Sequence, residues 1–307
     1  MWAWILFYAL VIVMLYADLK LFGRKGQHEV SIKEALQMTC VWIAVSLIFC
    51  AGIGHFENGD KAMEFLAGYL IEKSLSMDNL FVFLMLFSFF GVQRKYQHEV
   101  LFWGIFGALI LRSIFIFAGA AMVQRFEWIL AIFGVFLIYT GIKMFGHQEE
   151  SVDPSKNIFV KLFKKFFPVT DQMHEDKFFI IENGKRLATP LFIALLVIET
   201  TDVAFAVDSI PAVFSVSRDP FIVLTSNIFA ILGLRALYFA LAAIAQYFQY
   251  LKYGLGIILS FVGVKMLLEV FWHIKVDTPI SLLIIFGVLV LSMVASYVAT
   301  SYSRRRQ

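Results

Sequence analysis

Long apolar stretches dominate this chain and most strongly limit what it can fold into. A helix that crosses a bilayer needs about 20 mostly apolar residues, and nine stretches of the sequence reach roughly that length. We therefore predict an all-α, polytopic membrane protein with about nine transmembrane helices, at roughly 1–19, 36–54, 64–90, 99–123, 127–146, 188–214, 219–247, 251–273 and 279–301.

The composition agrees with a membrane environment. The chain is 60% hydrophobic and 16% charged, against about 45–50% and about 25% in soluble domains. Its two cysteines, Cys40 and Cys50, lie in one apolar stretch, which is neither a disulfide framework nor a metal-binding cysteine pattern. The N-terminus lacks a basic region and a small-residue cleavage site, so we expect a retained helix and not a signal peptide.

The loops on the two sides of the predicted membrane differ in positive charge. One alternate set of loops carries seventeen Lys and Arg residues, and the other set carries four. Because cytoplasmic loops are enriched in Lys and Arg, the first set is expected to be cytoplasmic. The N-terminus is then outside, and the C-terminus and the long polar segment 147–187 are inside.

The polar segment 147–187 contains two local patterns. Between 158 and 168, apolar side chains take one helical face and lysines the other, before Pro168 ends the run. This pattern is typical of a helix on an anionic membrane surface, with a solvated connector as the alternative. Further on, Asn183 and Gly184 predict the turn of a hairpin. The apolar face comprises Ile158, Phe159, Leu162, Phe163 and Phe166, and the other face comprises Lys161, Lys164 and Lys165.

Three features recur in the same order in two halves of the chain. EKSLSMDN at 72–79 resembles DVAFAVDS at 202–209, FGALILRSIF at 106–115 resembles FAILGLRALY at 229–238, and GIKM at 141–144 matches GVKM at 263–266. Each feature recurs three predicted spans later. Because three is an odd number, the two copies cross the membrane in opposite directions. This predicts a 3+3 inverted-topology repeat, an architecture of many secondary transporters. Chance similarity among apolar helices is the alternative.

The repeat divides the chain into five parts. These are two N-terminal helices at 1–63, a first three-helix repeat at 64–146, a cytoplasmic loop with an interfacial helix at 147–187, a second three-helix repeat at 188–273, and a final helix with a basic tail at 274–307. In this division the two acid motifs lie on the first helix of each repeat.

Acidic residues lie inside the predicted spans, where a charge costs about 2.5–3.5 kcal/mol. Such groups usually face a partner, a cavity or an ion. Arg112 and Arg235, with Lys73 if it turns inward, are the charge-compensating residues, and they leave about two of the five negative charges unbalanced. Protons or one divalent cation would balance them, whereas a lattice of structural ion pairs is the alternative. The acids are Glu72, Asp78, Glu199, Asp202 and Asp208.

The side chains around these acids offer oxygen ligands. Neither motif contains His or Cys, and oxygen-rich sites suit Mg²⁺, Ca²⁺ or Mn²⁺. Acids six residues apart point in different directions on an ideal helix, so we expect Pro211 to break its helix and turn Asp208 inward, with a simple packing kink as the alternative. The sequence thus predicts one site near the membrane midplane for a divalent cation. Its candidate ligands are Glu72, Asp78, Asn79, Glu199, Asp202 and Asp208.

At these residues the chain resembles the TerC family of bacterial membrane proteins, in particular its Alx-like branch. The resemblance rests on YLIEKSLSMDNLFVF, LVIETTDVAFAVDSIPAVF, DPFIVLTSNIFAILGLRALYF and LKYGLGIILSFVGVKML, and it covers nearly the whole chain. It implies efflux of Mn²⁺ across the inner membrane, with the six candidate ligands holding the metal. The residues themselves indicate only an oxygen-ligated cation, so Ca²⁺ and Mg²⁺ stay open as substrates.

Two other classes of function compete with transport. A membrane stress-response scaffold, or an insertion partner for membrane proteins, would act through 147–187 and not through the intramembrane acids. An intramembrane aspartyl protease would carry a GxGD-type motif, which the sequence lacks, so we do not expect an enzyme. The expected partners are the lipid bilayer, the cation substrate and, through 147–187, other membrane proteins. Nucleic acid is not among them.

Overall fold

Helices make up almost all of the chain in the computed structural model. It describes residues 2–23, 31–126, 128–146, 158–170, 172, 174, 177–182, 184–244 and 251–304. The predicted all-α class is confirmed, with one short hairpin in addition. The elements are α1 (Trp2–Gly23), α2 (Ile32–Phe56), α3 (Gly59–Phe89), α4 (Arg94–Arg125), α5 (Ile129–Lys143), α6 (Ile158–Phe166), β1 (Phe179–Glu182), β2 (Lys185–Ala188), α7 (Pro190–Phe214), α8 (Pro220–Leu232), α9 (Leu234–Ile244), α10 (Leu251–Trp272) and α11 (Thr278–Arg304).

Each predicted membrane stretch coincides with one helix, or with the pair α8 and α9. Among the described residues, the five helices α2, α4, α7, α10 and α11 are long and apolar enough to cross a bilayer. The pair α8 and α9 forms a sixth candidate span with a bend of 41°. Helices α1 and α5 contribute shorter apolar segments, and α3 has 31 residues but also carries charges. The described chain therefore has five or six candidate membrane spans.

Side-chain caps fix where two of the central helices begin. Asn58 Oδ1 accepts a hydrogen bond from the Lys61 N–H, at 2.8 Å, in the first turn of α3. Asp219 Oδ1 accepts from the Phe221 N–H, at 2.9 Å, before α8, and Pro220 takes the first position of that helix. Each cap provides a partner for an N–H that the helix itself leaves unpaired, and proline at the first position loses no hydrogen bond.

Helix α3 lies at the centre of the helix bundle and runs antiparallel to α7. It packs against α2, α7, α8 and α11. An added Cβ at Gly68 on α3 would lie 3.1 Å from Val213, near the end of α7. Further along α3, Glu72 shares an arginine with Asp202, which lies earlier on α7. The residue number therefore rises along α3 while it falls along α7, which means that the two helices run in opposite directions.

Helices α5 and α10 approach each other closely through four glycines. An added Cβ at Gly134 would lie 3.0 Å from the Gly263 carbonyl oxygen, and one at Gly141 would lie 2.6 Å from the Gly256 carbonyl oxygen. The reverse additions, at Gly263 and Gly256, would lie 2.5 Å and 2.8 Å from the carbonyl oxygens of Gly134 and Gly141. Any larger side chain would therefore push the two helices apart.

The seventh predicted stretch contains a break. Helix α8 ends at Leu232 and α9 begins at Leu234, with Gly233 between them. Lys73 on α3 donates from Nζ to the Ala230 carbonyl oxygen at 3.0 Å. A helix end leaves its last carbonyls unpaired, and its dipole favours a cation there. Lys73 therefore stabilises the end of α8.

The predicted helix break at Pro211 is wrong. Helix α7 is continuous from Pro190 to Phe214, with Pro211 inside it. Proline disturbs a helix because it lacks an N–H and because its ring crowds the preceding turn. Here the lost hydrogen bond is the one to the Val207 carbonyl oxygen, and the helix nevertheless continues to Phe214. Asp208 is therefore not turned inward by a break.

The segment before α7 contains the predicted amphipathic helix and hairpin. Helix α6 ends two residues before Pro168. Strands β1 and β2 pair antiparallel, with Glu182 opposite Lys185 across a two-residue turn. Gly184 in that turn has φ +73, a conformation that glycine adopts readily. The helix and the hairpin are confirmed, whereas the place of α6 on a membrane surface stays a prediction and Asn183 lies outside the described residues.

Candidate functional site

The guanidinium of Arg112 joins acids from two other helices. Arg112 lies on α4 and is 0% exposed. Its Nε and Nη2 donate to the two carboxylate oxygens of Asp202 on α7, at 3.0 and 2.8 Å. Paired hydrogen bonds of this kind are the strongest arrangement of arginine and carboxylate. Its Nη1 donates to Glu72 Oε1 on α3. One arginine thus binds the first acid of each motif copy.

Neutral polar side chains complete the surroundings of Glu72. Ser76 Oγ donates to Glu72 Oε1 at 3.0 Å, and Asn227 Nδ2 on α8 donates to Glu72 Oε2 at 2.8 Å. Arg112 Nη1 also donates to Ser209 Oγ at 3.3 Å. All of these side chains are buried. A charge in the interior needs both a countercharge and hydrogen bonds to be tolerated, and Glu72 has both.

Glycines on α4 give α7 room beside the arginine. An added Cβ at Gly104 would lie 3.2 Å from Ile198 Cγ2, and one at Gly107 would overlap the carboxylate of Glu199. Gly107 is five residues before Arg112 on the same helix. Helix α4 therefore supplies both the countercharge for Asp202 and the space that Glu199 occupies.

Two buried oxygens near the arginine lack a hydrogen-bond partner within the described chain. One is Glu199 Oε2, and the other is Asn227 Oδ1. Glu199 lies one turn before Asp202 on α7, and the amide nitrogen of Asn227 is used by Glu72. Because buried polar atoms nearly always have a partner, these oxygens are places where a donor or a cation can bind.

The other predicted ligands lie further along the two acid-bearing helices. Asp208 is six residues beyond Asp202, about 9 Å along the helix axis, and its Oδ1 lies 3.5 Å from Thr140 Oγ1 on α5. Asn79 is buried on α3. Asp78 also belongs to α3, but its side chain lies outside the described part of the structure.

The antiparallel arrangement separates the second acids of the two motifs. Asp78 follows Glu72 along α3, and Asp208 follows Asp202 along α7. Ser209, the neighbour of Asp208, shares Arg112 Nη1 with Glu72, so Asp208 lies near the level of Glu72, whereas Asp78 lies about 9 Å further along α3. In the part of the chain that the structure describes, no group of three or more His, Cys, Asp or Glu side chains is placed to hold a metal ion. Among the described candidate ligands, Glu72 and Asp202 share Arg112 as their common partner.

Arg235 compensates a different acid from those in the motifs. Its Nη2 lies 2.7 Å from Asp18 Oδ2 on α1 and donates to the Asp18 carbonyl oxygen at 2.5 Å. Its guanidinium carbon is 5.8 Å from the centre of the Phe102 ring. Lys73 binds the end of α8, as described above. Within the described residues, Arg112 hydrogen-bonds two motif acids, whereas Arg235 pairs with Asp18; that all three cations balance one shared group of acids stays a prediction.

Asn227 is the residue of this cluster that the sequence reasoning missed. It lies in the run Thr225, Ser226 and Asn227 inside a stretch that is otherwise apolar. All three side chains are fully buried. Polar groups at membrane depth usually have a partner there, so this run could have indicated from the sequence that Asn227 binds another polar residue.

Buried ion pairs between long apolar helices define the class of protein. Several helices are long and apolar enough to cross a bilayer, and the charges they carry turn inward to one another. The chain is therefore a multi-pass integral membrane protein. It belongs to the TerC family: the sequence profile of the integral membrane protein TerC family matches residues 57–305.

Several bacterial relatives resemble the chain over nearly its whole length. An uncharacterized membrane protein of Myxococcus xanthus is 47% identical over 300 residues, which cover 98% of this chain and 93% of that protein. The "Putative membrane-bound redox modulator Alx" of Escherichia coli K12 is 47% identical over 297 residues, covering 94% and 92%. An uncharacterized membrane protein of Rickettsia bellii is 40% identical over 296 residues, covering 96% and 97%. No solved structure matches significantly. The predicted family and its Alx-like branch are confirmed.

Proposed function

We propose that this chain transports a divalent cation, Mn²⁺, out of the cytoplasm across the bacterial inner membrane. The observation that supports it best is the buried cluster in which Glu72 and Asp202, from two antiparallel helices, share Arg112. Ionisable groups at membrane depth commonly mark ion pathways. Carboxylate and amide oxygens suit Mn²⁺, Ca²⁺ and Mg²⁺ alike. Mn²⁺ is preferred because of the resemblance to TerC-family manganese exporters.

Arg112 fits a transporter as an internal competitor for the two acids. Two carboxylates face one guanidinium, so the group retains a net negative charge. A divalent cation that reaches Glu72 and Asp202 competes with the guanidinium for their oxygens. When the cation leaves, the arginine binds both acids again. The acids are then never left buried without a countercharge, which would cost about 3–5 kcal/mol.

The spacing of the acids favours a path with successive positions. On the continuous helix α7, Glu199 and Asp208 lie about 4.5 Å before and about 9 Å beyond Asp202 along the axis. Ligand distances for such ions are about 2.0–2.6 Å, so acids this far apart serve separate positions more readily than one ion. We propose that the cation passes from the level of Glu199 to that of Asp202, Asp78 and Asn79, and then to that of Glu72 and Asp208.

Two contacts support the inverted repeat that such a path requires. Gly134 and Gly256 are 122 positions apart, and so are Gly141 and Gly263. Across the interface, however, Gly134 meets Gly263 and Gly141 meets Gly256. Reciprocal contacts of this kind arise from a twofold axis between two equivalent units. We propose that α3–α5 and α7–α10 are two inverted three-helix units within a chain of nine spans.

The charge asymmetry of the loops supports the orientation. With seventeen Lys and Arg residues in one set of loops and four in the other, we propose that the N-terminus is outside and the C-terminus cytoplasmic. Helix α3 then runs inward and α7 outward. Asp78 and Glu199 belong to the cytoplasmic end of the path, and Asp208 belongs to the outer end.

A thiol-based redox function has less support, although the Alx relative's name refers to redox modulation. Cys40 and Cys50 are both free and lie on α2. Ten residues of helix separate them by about 15 Å, whereas a disulfide requires Cα atoms within about 7 Å. The two thiols cannot pair within one chain while α2 is intact.

Flux into proteoliposomes tests the proposal. The full chain is reconstituted, a metal-quenched dye is trapped inside, and Mn²⁺, Ca²⁺ and Mg²⁺ are added in parallel. We expect Mn²⁺ flux well above that of protein-free vesicles and above that of the other two ions. Absence of flux for all three ions, with folded protein in the membrane, would reject transport and favour a scaffold.

A further inference from the structure

Helix α6 has three different faces around its axis. At 100° per residue, one sector is apolar and exposed, the next is apolar and packed on the protein, and the third is basic. The exposed sector contains Ile158, Leu162 and Phe166, the packed sector contains Val160 and Phe163, and the basic sector contains Lys161, Lys164 and Lys165.

The packed sector fixes α6 at the start of a candidate membrane span. Val160 is 4% exposed. The ring of Phe163 lies 5.1 Å from that of Phe192, in the first turn of α7. Phe192 in turn lies 4.6 Å from Phe179 of the hairpin. These contacts hold α6 at the level where α7 begins, and α7 is one of the helices able to cross the bilayer.

The exposed sector would be unfavourable in water. Ile158 is 77% exposed, Leu162 52% and Phe166 76%. Burial of side chains of this size is worth roughly 1.5–3 kcal/mol each. At the edge of the membrane, the acyl chains of lipids are the nearest apolar medium, and the neighbouring lysines match the charge of an anionic headgroup layer.

We propose that α6 lies on the membrane surface at the start of α7, with Ile158, Leu162 and Phe166 among the lipid chains. Lys161, Lys164 and Lys165, all exposed, contact anionic headgroups. Each lysine near an anionic surface contributes roughly a fivefold gain in affinity. The surface is therefore selective for anionic lipid, and this role of α6 does not depend on the transport proposed above.

Spin-label accessibility in the full chain tests this placement. Cys40 and Cys50 are replaced by serine, and nitroxides are attached through Leu162→Cys, Phe166→Cys or, as the control on the same helix, Lys164→Cys. The protein is reconstituted with either phosphatidylglycerol and phosphatidylcholine or phosphatidylcholine alone. Oxygen concentrates in the bilayer, whereas a water-soluble nickel chelate stays in the aqueous phase. In anionic vesicles, we expect oxygen to relax the labels at positions 162 and 166 more than the nickel chelate does. The label at position 164 should show the reverse.

Lipid charge supplies the second comparison. We expect the labels at positions 162 and 166 to become more accessible to nickel in phosphatidylcholine alone. Replacing the three lysines by glutamine should have the same effect in anionic vesicles. Nickel accessibility at position 162 equal to that at 164 in anionic vesicles would overturn the proposal. So would spin–spin coupling between labels of two copies, since another chain would then cover this face.

Discussion

Arg112 on α4 and Asp202 on α7 are joined by two hydrogen bonds, of 3.0 and 2.8 Å, between buried groups. The same guanidinium binds Glu72 on α3. This arrangement makes Arg112 the countercharge of two acids at once. Removal of Arg112 therefore leaves two buried carboxylates without this countercharge. The next prediction depends on that imbalance.

Replacing Arg112 by alanine should destabilise the protein in a way that Mn²⁺ reverses. Arg112→Ala leaves Glu72 and Asp202 buried without their countercharge, which costs about 3–5 kcal/mol. A divalent cation bound by both carboxylates would restore the balance and stabilise the folded state by mass action. Thermal unfolding in detergent should show a lower Tm than wild type without metal and a larger Mn²⁺-induced rise. A Tm that does not respond to Mn²⁺ would mean that these two acids do not hold the cation.

Arg235 provides the matched comparison, because its carboxylate partner is Asp18. Arg235→Ala should lower the Tm, and adding Asp18→Asn should recover part of the loss, since the remaining acid is then neutral. Mn²⁺ should give less stabilisation than in Arg112→Ala, because Asp18 and Arg235 lie outside the proposed path of the cation. Flux in the double variant should stay within about threefold of wild type, a change worth less than 1 kcal/mol. A loss of flux as deep as in Arg112→Ala would place Asp18 and Arg235 in the transport path.

Loss of the Asn227 side-chain amide should weaken cation binding. Asn227→Leu removes both the hydrogen bond to Glu72 and the unpartnered buried oxygen. Without this oxygen the cation loses one ligand, and a contact of this kind to a charged group is worth about 1.5–3 kcal/mol, so calorimetric titration should give a Kd for Mn²⁺ raised roughly 10- to 150-fold. Ser226→Ala, at the neighbouring buried position, should leave the Kd unchanged. Equal affinity in wild type and Asn227→Leu would limit Asn227 to helix packing.

The glycine crossing of α5 and α10 should not tolerate even one methyl group. In Gly141→Ala the new Cβ would meet the Gly256 carbonyl oxygen at 2.6 Å, and overpacking of this kind costs about 1–3 kcal/mol. Gly287→Ala on α11 is the control, because no atom lies within 4 Å of its added Cβ. Thermal unfolding should show a lower Tm for Gly141→Ala only. An equal or higher Tm in Gly141→Ala would show that the two helices are free to separate.

Much of the fold could be predicted because its signals are local. The length of an apolar stretch predicts a membrane helix, and Asn183 with Gly184 predicts the hairpin. Arg112 could be singled out because a buried charge inside an apolar stretch must have a partner. The sequence could only partly predict which residue that partner is, because the partner depends on which helices become neighbours.

The errors arose where distant contacts or helix ends decide the outcome. Asp18 and Arg235 are 217 positions apart, and no local pattern connects them. Pro211 leaves α7 continuous, and the end of α7 could be placed only to within a few residues from sequence. The single ion site expected for Asp78 and Asp208 stays a prediction, because the side chain of Asp78 lies outside the described part of the structure.

Mn²⁺ flux through charge-neutral variants of the two acids examines the transport proposal at its core. Glu72→Gln and Asp202→Asn keep the size of each side chain and remove the charge that the cation requires. With the protein inserted and folded, each variant should lose at least about tenfold in Mn²⁺ flux into proteoliposomes, or about 1.4 kcal/mol. Asp60→Asn, at an exposed acid in the first turn of α3, should transport like wild type. Wild-type flux in both Glu72→Gln and Asp202→Asn would contradict the account and leave the Arg112 cluster as a structural ion pair.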